Sequence, residues 1–486
     1  MARHADKAII VHWGALKTKY GAAGVAALKA ALQRMATADQ ARAISSRVIA
    51  IDRAGTMNGL GGPTVTDPTD AMAVKAAVDA AAVGVSAHYV MLLGAPDVLP
   101  QQRLRNPTTD EDPDVPSDLP YACPAPAGDD PGDFVGATRA VGRLPDLLGA
   151  TDPAFLVRLV DQAASWTSRK PGAFQPAFAL STDSWKVSTR LSVAQLDTAA
   201  TTVRLSPTEG PGFSKAVLGA RTHFVNCHGG DTDPRWYGER RGVDTLTVAL
   251  EPAAIAGKLS PGTVVAAECC YGAQHYRPDL AGGQMSLAAT YLHEGAAGFL
   301  GASSLSYGPV DDMGSADLIT RYFLSVVLDG ASLGRALLQA RQRFALEHGE
   351  LDPIDLKTLV EFDLLGDPSI TPVQVPVAKS APTAMRSTSV GARLRRQVLA
   401  RVGDGLTDSI VRAAPDAVRS SSSRVRAVAD QAGVQVVQGA ALQTYRTSPA
   451  VASRTAFHLL TAPDGRITIL RDEPGQSPTA RTVVRK

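Results

Sequence analysis

The sequence lacks the features that mark many protein classes. It has only four cysteines in 486 residues, and none of them stand in C-x-x-C spacing. That excludes a disulfide scaffold and argues against a structural zinc site. Charge of one sign is also scarce: 49 Lys and Arg face 47 Asp and Glu, a formal net charge of +2. Bulk electrostatic capture of nucleic acid needs a large basic excess, so no nucleic-acid partner is expected. No apolar run reaches the roughly 18 residues of a membrane span. The first apolar run, residues 8–11, is too short for the core of a signal peptide. The expectation is a chain without a membrane partner, in the cytoplasm, with reduced thiols. With 45% hydrophobic and 20% charged residues, it is not disordered as a whole.

What is present is an alternation of apolar runs and Ala-rich helical stretches. Residues 8–11, 48–51 and 89–94 read as buried strands, and residues 25–35 and 71–83 as helices. That alternation predicts a parallel α/β sheet. Residues 104–137, rich in Pro and Asp, read as a long loop of the kind that often carries function. A second α/β run follows, with strands at 178–180, 222–226, 263–267 and 296–301. Its helices are expected at 155–166, 193–202, 316–328 and 333–344. The expected organisation is an α/β subdomain over 1–145, a second α/β domain over 146–375, a linker over 376–395 and a small module over 396–486. In that last part, 393–402 and 425–431 look helical, and 456–460 with 467–470 look like a hairpin. From residue 380 onward there are 16 Lys and Arg against 7 Asp and Glu, so the basic tail should fold back on an acidic body.

Two segments carry chemistry. Phe224-Val225-Asn226-Cys227-His228-Gly229-Gly230 and Val264-Val265-Ala266-Ala267-Glu268-Cys269-Cys270-Tyr271-Gly272 are buried-strand signals, each ending in a reactive side chain with Gly close behind. Sites in open α/β sheets form beyond the carboxyl ends of parallel strands, so the His and a Cys can share one cleft. A thiol needs a nearby base to become a nucleophile, and His supplies one. Bare glycine backbone lets a carbonyl approach N–H groups that hold the developing oxyanion. The bland reading is a turn histidine and inert core thiols. His223 reads as structural, His275 as a surface residue, Cys123 as a free loop thiol, and Asp311 with Asp312 as an acidic turn.

A hydrophobic block ending in His-Gly, followed some forty residues on by a second block ending in acid-x-Cys, resembles the caspase-fold cysteine peptidases. Within them it is most similar to the gingipain-like branch. Supporting elements are Leu92-Leu93-Gly94-Ala95-Pro96-Asp97, Ser117-Asp118-Leu119-Pro120-Tyr121, Gly142-Arg143-Leu144-Pro145 and Leu365-Gly366-Asp367-Pro368-Ser369. The resemblance spans roughly residues 85–372 and rests on the order of these motifs. It implies a three-layer caspase-like fold, a mostly parallel sheet with helices on both faces, followed by a small α+β tail module.

The resemblance also implies a cysteine endopeptidase that needs no metal or cofactor and acts on a protein or peptide substrate. His228 would be the general base and acid, and Gly229 would lend its N–H to the oxyanion. Cys270 is favoured as nucleophile. Cys269 is the alternative, because adjacent residues of a strand face opposite ways. Asp183 and Asp231 are candidate acids for selecting a basic residue before the scissile bond, with Trp236 and Tyr307 as candidate walls of that pocket. No third residue orienting His228 is identifiable. The competing expectation is a catalytically inactive caspase-like binding or scaffold protein.

Overall fold

The computed structural model describes residues 4–196, 201–243, 245–375, 416–418, 422–446 and 455–486. Ten strands form the central sheet: β1 (Lys7–Val11), β2 (Ser46–Ala50), β3 (Tyr89–Leu93), β4 (Ala140–Leu144), β5 (Phe178–Thr182), β6 (Val203–Ser206), β7 (Thr222–Asn226), β8 (Val264–Ala267), β9 (Gly298–Ala302) and β11 (Phe362–Gly366); a two-residue strand, β10 (Tyr307–Gly308), lies outside it. The order is β2-β1-β3-β4-β11-β9-β8-β7-β5-β6. Every residue of β1, β4, β5, β7, β8, β9 and β11 is buried. That is why β1 and β8 read as apolar runs, a parallel sheet being covered on both faces, while β4, β7 and β11 each bury a polar side chain, Arg143, His223 and Asp363.

Pairing is parallel everywhere except between β9 and β11. The sheet is thus two parallel blocks of opposite direction, joined where β11 returns beside β4. Strands on either side of residue 145 share this one sheet and one apolar core. Helices pack in two groups. Trp13–Ala41 lies on Ala154–Ala164, which touches Leu287–His293, while Ala316–Leu328 packs on Leu333–His348 and Lys186–Ala194. The arrangement is that of a three-layer α/β fold.

The helix expected over 193–202 instead runs Lys186–Ala194. It starts directly after β5, through a short turn that buries Trp185, and residues 197–200 lie outside the described residues. The long loop after β3 is ordered. It contains a hairpin, Gln102–Arg105 with Asp114–Ser117, and the short helix Leu119–Ala122.

The motifs noted in the sequence act as buried locks. Arg143 on β4 donates to both carboxylate oxygens of Asp118, at 2.6 and 2.8 Å, and to the carbonyls of Gly94 and Leu99. Asp367, just after β11, meets Lys7 of β1 at 2.8 Å, and Lys7 also pairs with Asp39. These ion pairs fix the loop and the returning strand to the first block.

The C-terminal module is antiparallel. Its strands β12 (Asp416–Val418), β13 (Ala441–Arg446), β14 (Ala456–Thr461), β15 (Ile467–Asp472) and β16 (Thr479–Arg485) pair in order, with helix Ser422–Gln431 contacting β15. The expected hairpin is β14 with β15. The expected linker, 376–395, and most of the expected helix at 393–402 lie outside the described residues, as does the remainder of that helix. The module's edge strand β16 pairs antiparallel with β10 of the body, so the basic tail does fold back. Arg481 reaches Asp352 and, at 2.8 Å, Asp355; Arg485 pairs with Glu111.

Candidate active site

β7 and β8 are parallel neighbours, with Val225 opposite Ala267. Their carboxyl ends therefore deliver residues 227–230 and 268–272 to the same edge of the sheet. The short strand Trp236–Gly238 steadies the first segment, because His228 and Tyr237 exchange both backbone hydrogen bonds at 2.9 Å. Gly229 lies against the Cys270 backbone so closely that a Cβ there would stand 1.9 Å from the Cys270 carbonyl oxygen. Only glycine permits that approach. The two segments are locked together by main chain, so His228 and Cys270 flank one close backbone contact at the sheet edge.

His228 is braced by two residues that the sequence reading did not single out. Its ring lies on Trp185, with centroids 4.4 Å apart, and Nε2 is 3.3 Å from the Glu239 carboxylate. The hydrogen bond from His228 is the main influence holding the Glu239 carboxyl below its usual range. Glu239 is itself fixed by backbone bonds in both directions with Thr182 Oγ1 at the end of β5. A carboxylate on one imidazole nitrogen sets the tautomer and leaves the other nitrogen for chemistry.

The two adjacent thiols, just past the end of β8, part company. Cys269 is fully buried in the main core, and burial pushes its thiol well above the ordinary value. Cys270 faces the cleft, in a cluster with Leu305 and Tyr307, and its Sγ accepts from Ser306 N–H at 3.3 Å. Burial pushes the Cys270 thiol up to about 12. Tyr271 follows with φ +53°, the left-handed region that bulky residues avoid. Its hydroxyl donates to Asp112 at 2.7 Å, anchoring this strained turn to the long loop.

The cleft is occupied by this chain's own Lys486. Its main-chain oxygen accepts from Cys270 N–H at 3.2 Å, and its N–H donates to Ser306 O at 2.9 Å. The side chain enters a buried pocket, where Nζ lies 3.0 Å from Asp317, 3.3 Å from Glu268 and 4.9 Å from the centroid of the Trp185 ring. Burial, followed by the neighbouring Asp317, raises the Glu268 carboxyl well above its usual range.

Of the residues marked from sequence, Gly229 lies against the Cys270 backbone and Tyr307 shares a buried cluster with Cys270, while the His228 ring lies on Trp185. Tyr307 is in β10, the edge on which the tail strand docks, with its hydroxyl on Asp110. Asp183 is instead held by Lys186 at 2.9 Å, and Asp231 by Thr232 and Gln274. Trp236 packs in the core beside Tyr291 and Phe299. The acids that meet the lysine are Glu268 and Asp317. Glu268 had a visible signal, a carboxylate closing an all-apolar strand. Asp317 had a weaker one, an acid opening a buried helix. His223 is structural as expected, buried and bonded to Tyr291 at 3.0 Å. His275 is not at the surface. It is half-buried, and burial lowers its imidazole to about 4. Cys123 is free but buried, with Sγ 3.0 Å from Phe134 O, and Asp311 pairs with Arg241 at 2.6 Å. Compared with known protein families and with curated proteins, the sequence matches none.

Proposed function

We propose that this chain is a cysteine endopeptidase of the caspase-like, gingipain-like type, acting after basic residues. The observation that carries the reading is a main-chain oxygen, that of Lys486, held by the backbone N–H of Cys270, which lies against Gly229 next to His228. That is where a scissile carbonyl would need to sit. In the reaction the Cys270 thiol gives its proton to His228 as sulfur bonds to the carbonyl carbon. The resulting oxyanion is held by Cys270 N–H and Gly229 N–H. His228 then returns the proton to the leaving amine as the C–N bond breaks. A water, deprotonated by His228, hydrolyses the thioester and regenerates the thiol. Glu239 supports the imidazolium that forms in between.

One observation favours the second reading, a binding module without turnover: the Cys270 thiol is buried, protonated at rest and covered by the tail strand. The test is mass-spectrometric cleavage profiling of a peptide library. It compares the wild type and Arg481→Glu, which loosens the tail, each with and without Cys270→Ala, Cys269→Ala or His228→Ala. Cuts that vanish with His228→Ala and Cys270→Ala but persist with Cys269→Ala bear the proposal out. No cuts with either parent protein would leave the binding module as the reading.

A further inference from the structure

The pocket beneath Lys486 is more elaborate than docking of a tail strand requires. Glu268 and Asp317 come from two different elements, the end of β8 and the first turn of helix Ala316–Leu328, and both are fully buried. Two carboxylates so placed repel one another, and burial penalises their charge, unless a cation lies between them. Their other polar contacts come from the pocket's own walls. Thr320 Oγ1 donates to Glu268 at 2.8 Å, and Asn226 Nδ2 lies 3.4 Å from Asp317. Glu268 Oε2 has no hydrogen-bond donor among the described residues other than the nearby ammonium. Trp185 closes one side with its ring face, which attracts a cation. Gly308 forms the rim. A Cβ there would stand 2.2 Å from Lys486 Cε and 2.8 Å from Nζ, so the entry is open only because this position is bare.

The main chain meets the same site by strand addition. Arg485 and Val484 pair with Tyr307 and Gly308, and Lys486 N–H continues the ladder to Ser306. We infer that Glu268, Asp317, Trp185 and Gly308 form a lysine-selective subsite for the residue whose carbonyl is presented to Cys270, and that Lys486 fills it in cis as a pseudosubstrate. The assignment to the residue before the scissile bond rests on the peptidase reading; the lysine pocket itself does not. Lysine is favoured over arginine because a compact ammonium with three donors can satisfy two carboxylates arriving from different directions. A planar guanidinium fork matches one coplanar carboxylate and is bulkier at the Gly308 rim.

The test separates binding from turnover. The full chain carrying Lys486→Ala, Cys270→Ala and Arg481→Glu has an emptied pocket, no nucleophile and a loosened tail strand that frees the Tyr307–Gly308 edge. A fluorescein-labelled peptide copying residues 479–486 is titrated into it by anisotropy, beside versions ending in Arg, norleucine or Gln. The Lys peptide should bind at least tenfold more tightly than the Arg peptide. Against norleucine, which keeps the length and loses the charge, the margin should be about a hundredfold. Asp317→Asn should erase the preference for Lys over norleucine. Gly308→Val, which fills the space of the ammonium at the rim beside Asp317 while leaving both carboxylates in place, should abolish binding of the Lys peptide if Asp317→Asn fails to fold. Equal binding of the Lys and norleucine peptides would overturn the subsite, as would Lys binding that survives Gly308→Val. Cleavage is read separately with Cys270 restored. Tight Lys binding without any cleavage leaves the subsite standing and removes the peptidase. Cleavage after residues other than Lys does the reverse.

Discussion

Freeing the tail strand should expose one particular cysteine, and the size of the effect follows from the site. The perturbation is Arg481→Glu. Arg481 bridges Asp352 and Asp355, and a glutamate there places a third carboxylate against those two, repelling β16 at its first turn of pairing. With the strand in place, Cys270 is 2% exposed and its thiol is held at about 12. At a working pH of about 7.5, a thiol with a pKa of 12 is ionised roughly 3000-fold less than a free one near 8.5. The more basic thiolate is a better nucleophile, which recovers roughly 40-fold at a Brønsted slope near 0.45. The net handicap is about 10² from ionisation alone, before any steric cover by the strand is counted. Alkylation of the wild type by iodoacetamide, followed by peptide mapping, should therefore be slow at all four thiols, since all four are free and buried. In Arg481→Glu, Cys270 should react about 10² faster, while Cys269, sealed in the main core, keeps its wild-type rate. Equal rates at Cys270 in the two proteins would refute the idea that β16 covers the thiol. Faster reaction at Cys269 would refute the assignment of which cysteine faces the cleft.

Two further outcomes concern stability. Burial lowers the His223 imidazole from 6.5 to about 4, so between those pH values the unfolded chain binds a proton that the folded chain refuses. Stability attributable to this residue is intact above pH 6.5 and falls as pH drops toward 4, by about 3 kcal/mol in all at 1.36 kcal/mol per pKa unit. The difference in urea stability between wild type and His223→Gln should narrow by that amount over this window; a pH-independent difference would contradict it. Replacing Arg143 with leucine strands Asp118 in the core without its bidentate partner and removes a donor from two loop carbonyls. The expected cost is about 3–5 kcal/mol, read as a lower urea midpoint. Arg143→Lys should recover only part of it, because an ammonium cannot reproduce the fork.

Much of the sheet was legible because its signal is local. A buried parallel strand is apolar over most of its length, and the runs Ala8–Val11, Val90–Leu93 and Val264–Ala267 in β1, β3 and β8 are. The ends of β7 and β8 stood out for the same reason, as places where a long apolar pattern breaks on His and Cys. The reversal of direction at β9 and β11 was not legible. Which strand Phe362–Gly366 pairs with is decided by the crossing of the chain, not by its own residues. The break expected at residue 145 failed to divide the sheet because β11 bridges both blocks. The pocket acids were missed for a related reason. A carboxylate's role depends on what faces it, and Glu268, Asp317 and Lys486 lie far apart in sequence. Asp183 and Asp231 looked better placed only because they sit next to strand ends, where local cations and amides take them up.

The charge asymmetry was the one long-range signal available early, and the structure sharpens what it means. A basic tail and an acidic body could have attracted each other loosely, through pairs that salt would screen. Some contacts are of that kind: Arg485 and Glu111 are both exposed, and such a pair contributes little. The contact that reaches the site is different. Lys486 is fully buried with two buried partners, so removing it leaves two buried carboxylates without their cation. The general attraction therefore suits a role in bringing the strand back, while the buried lysine decides where it stops. A strand held this way would yield to a competing lysine far more readily than to a change in ionic strength, which is the behaviour that a substrate-displaced cover requires.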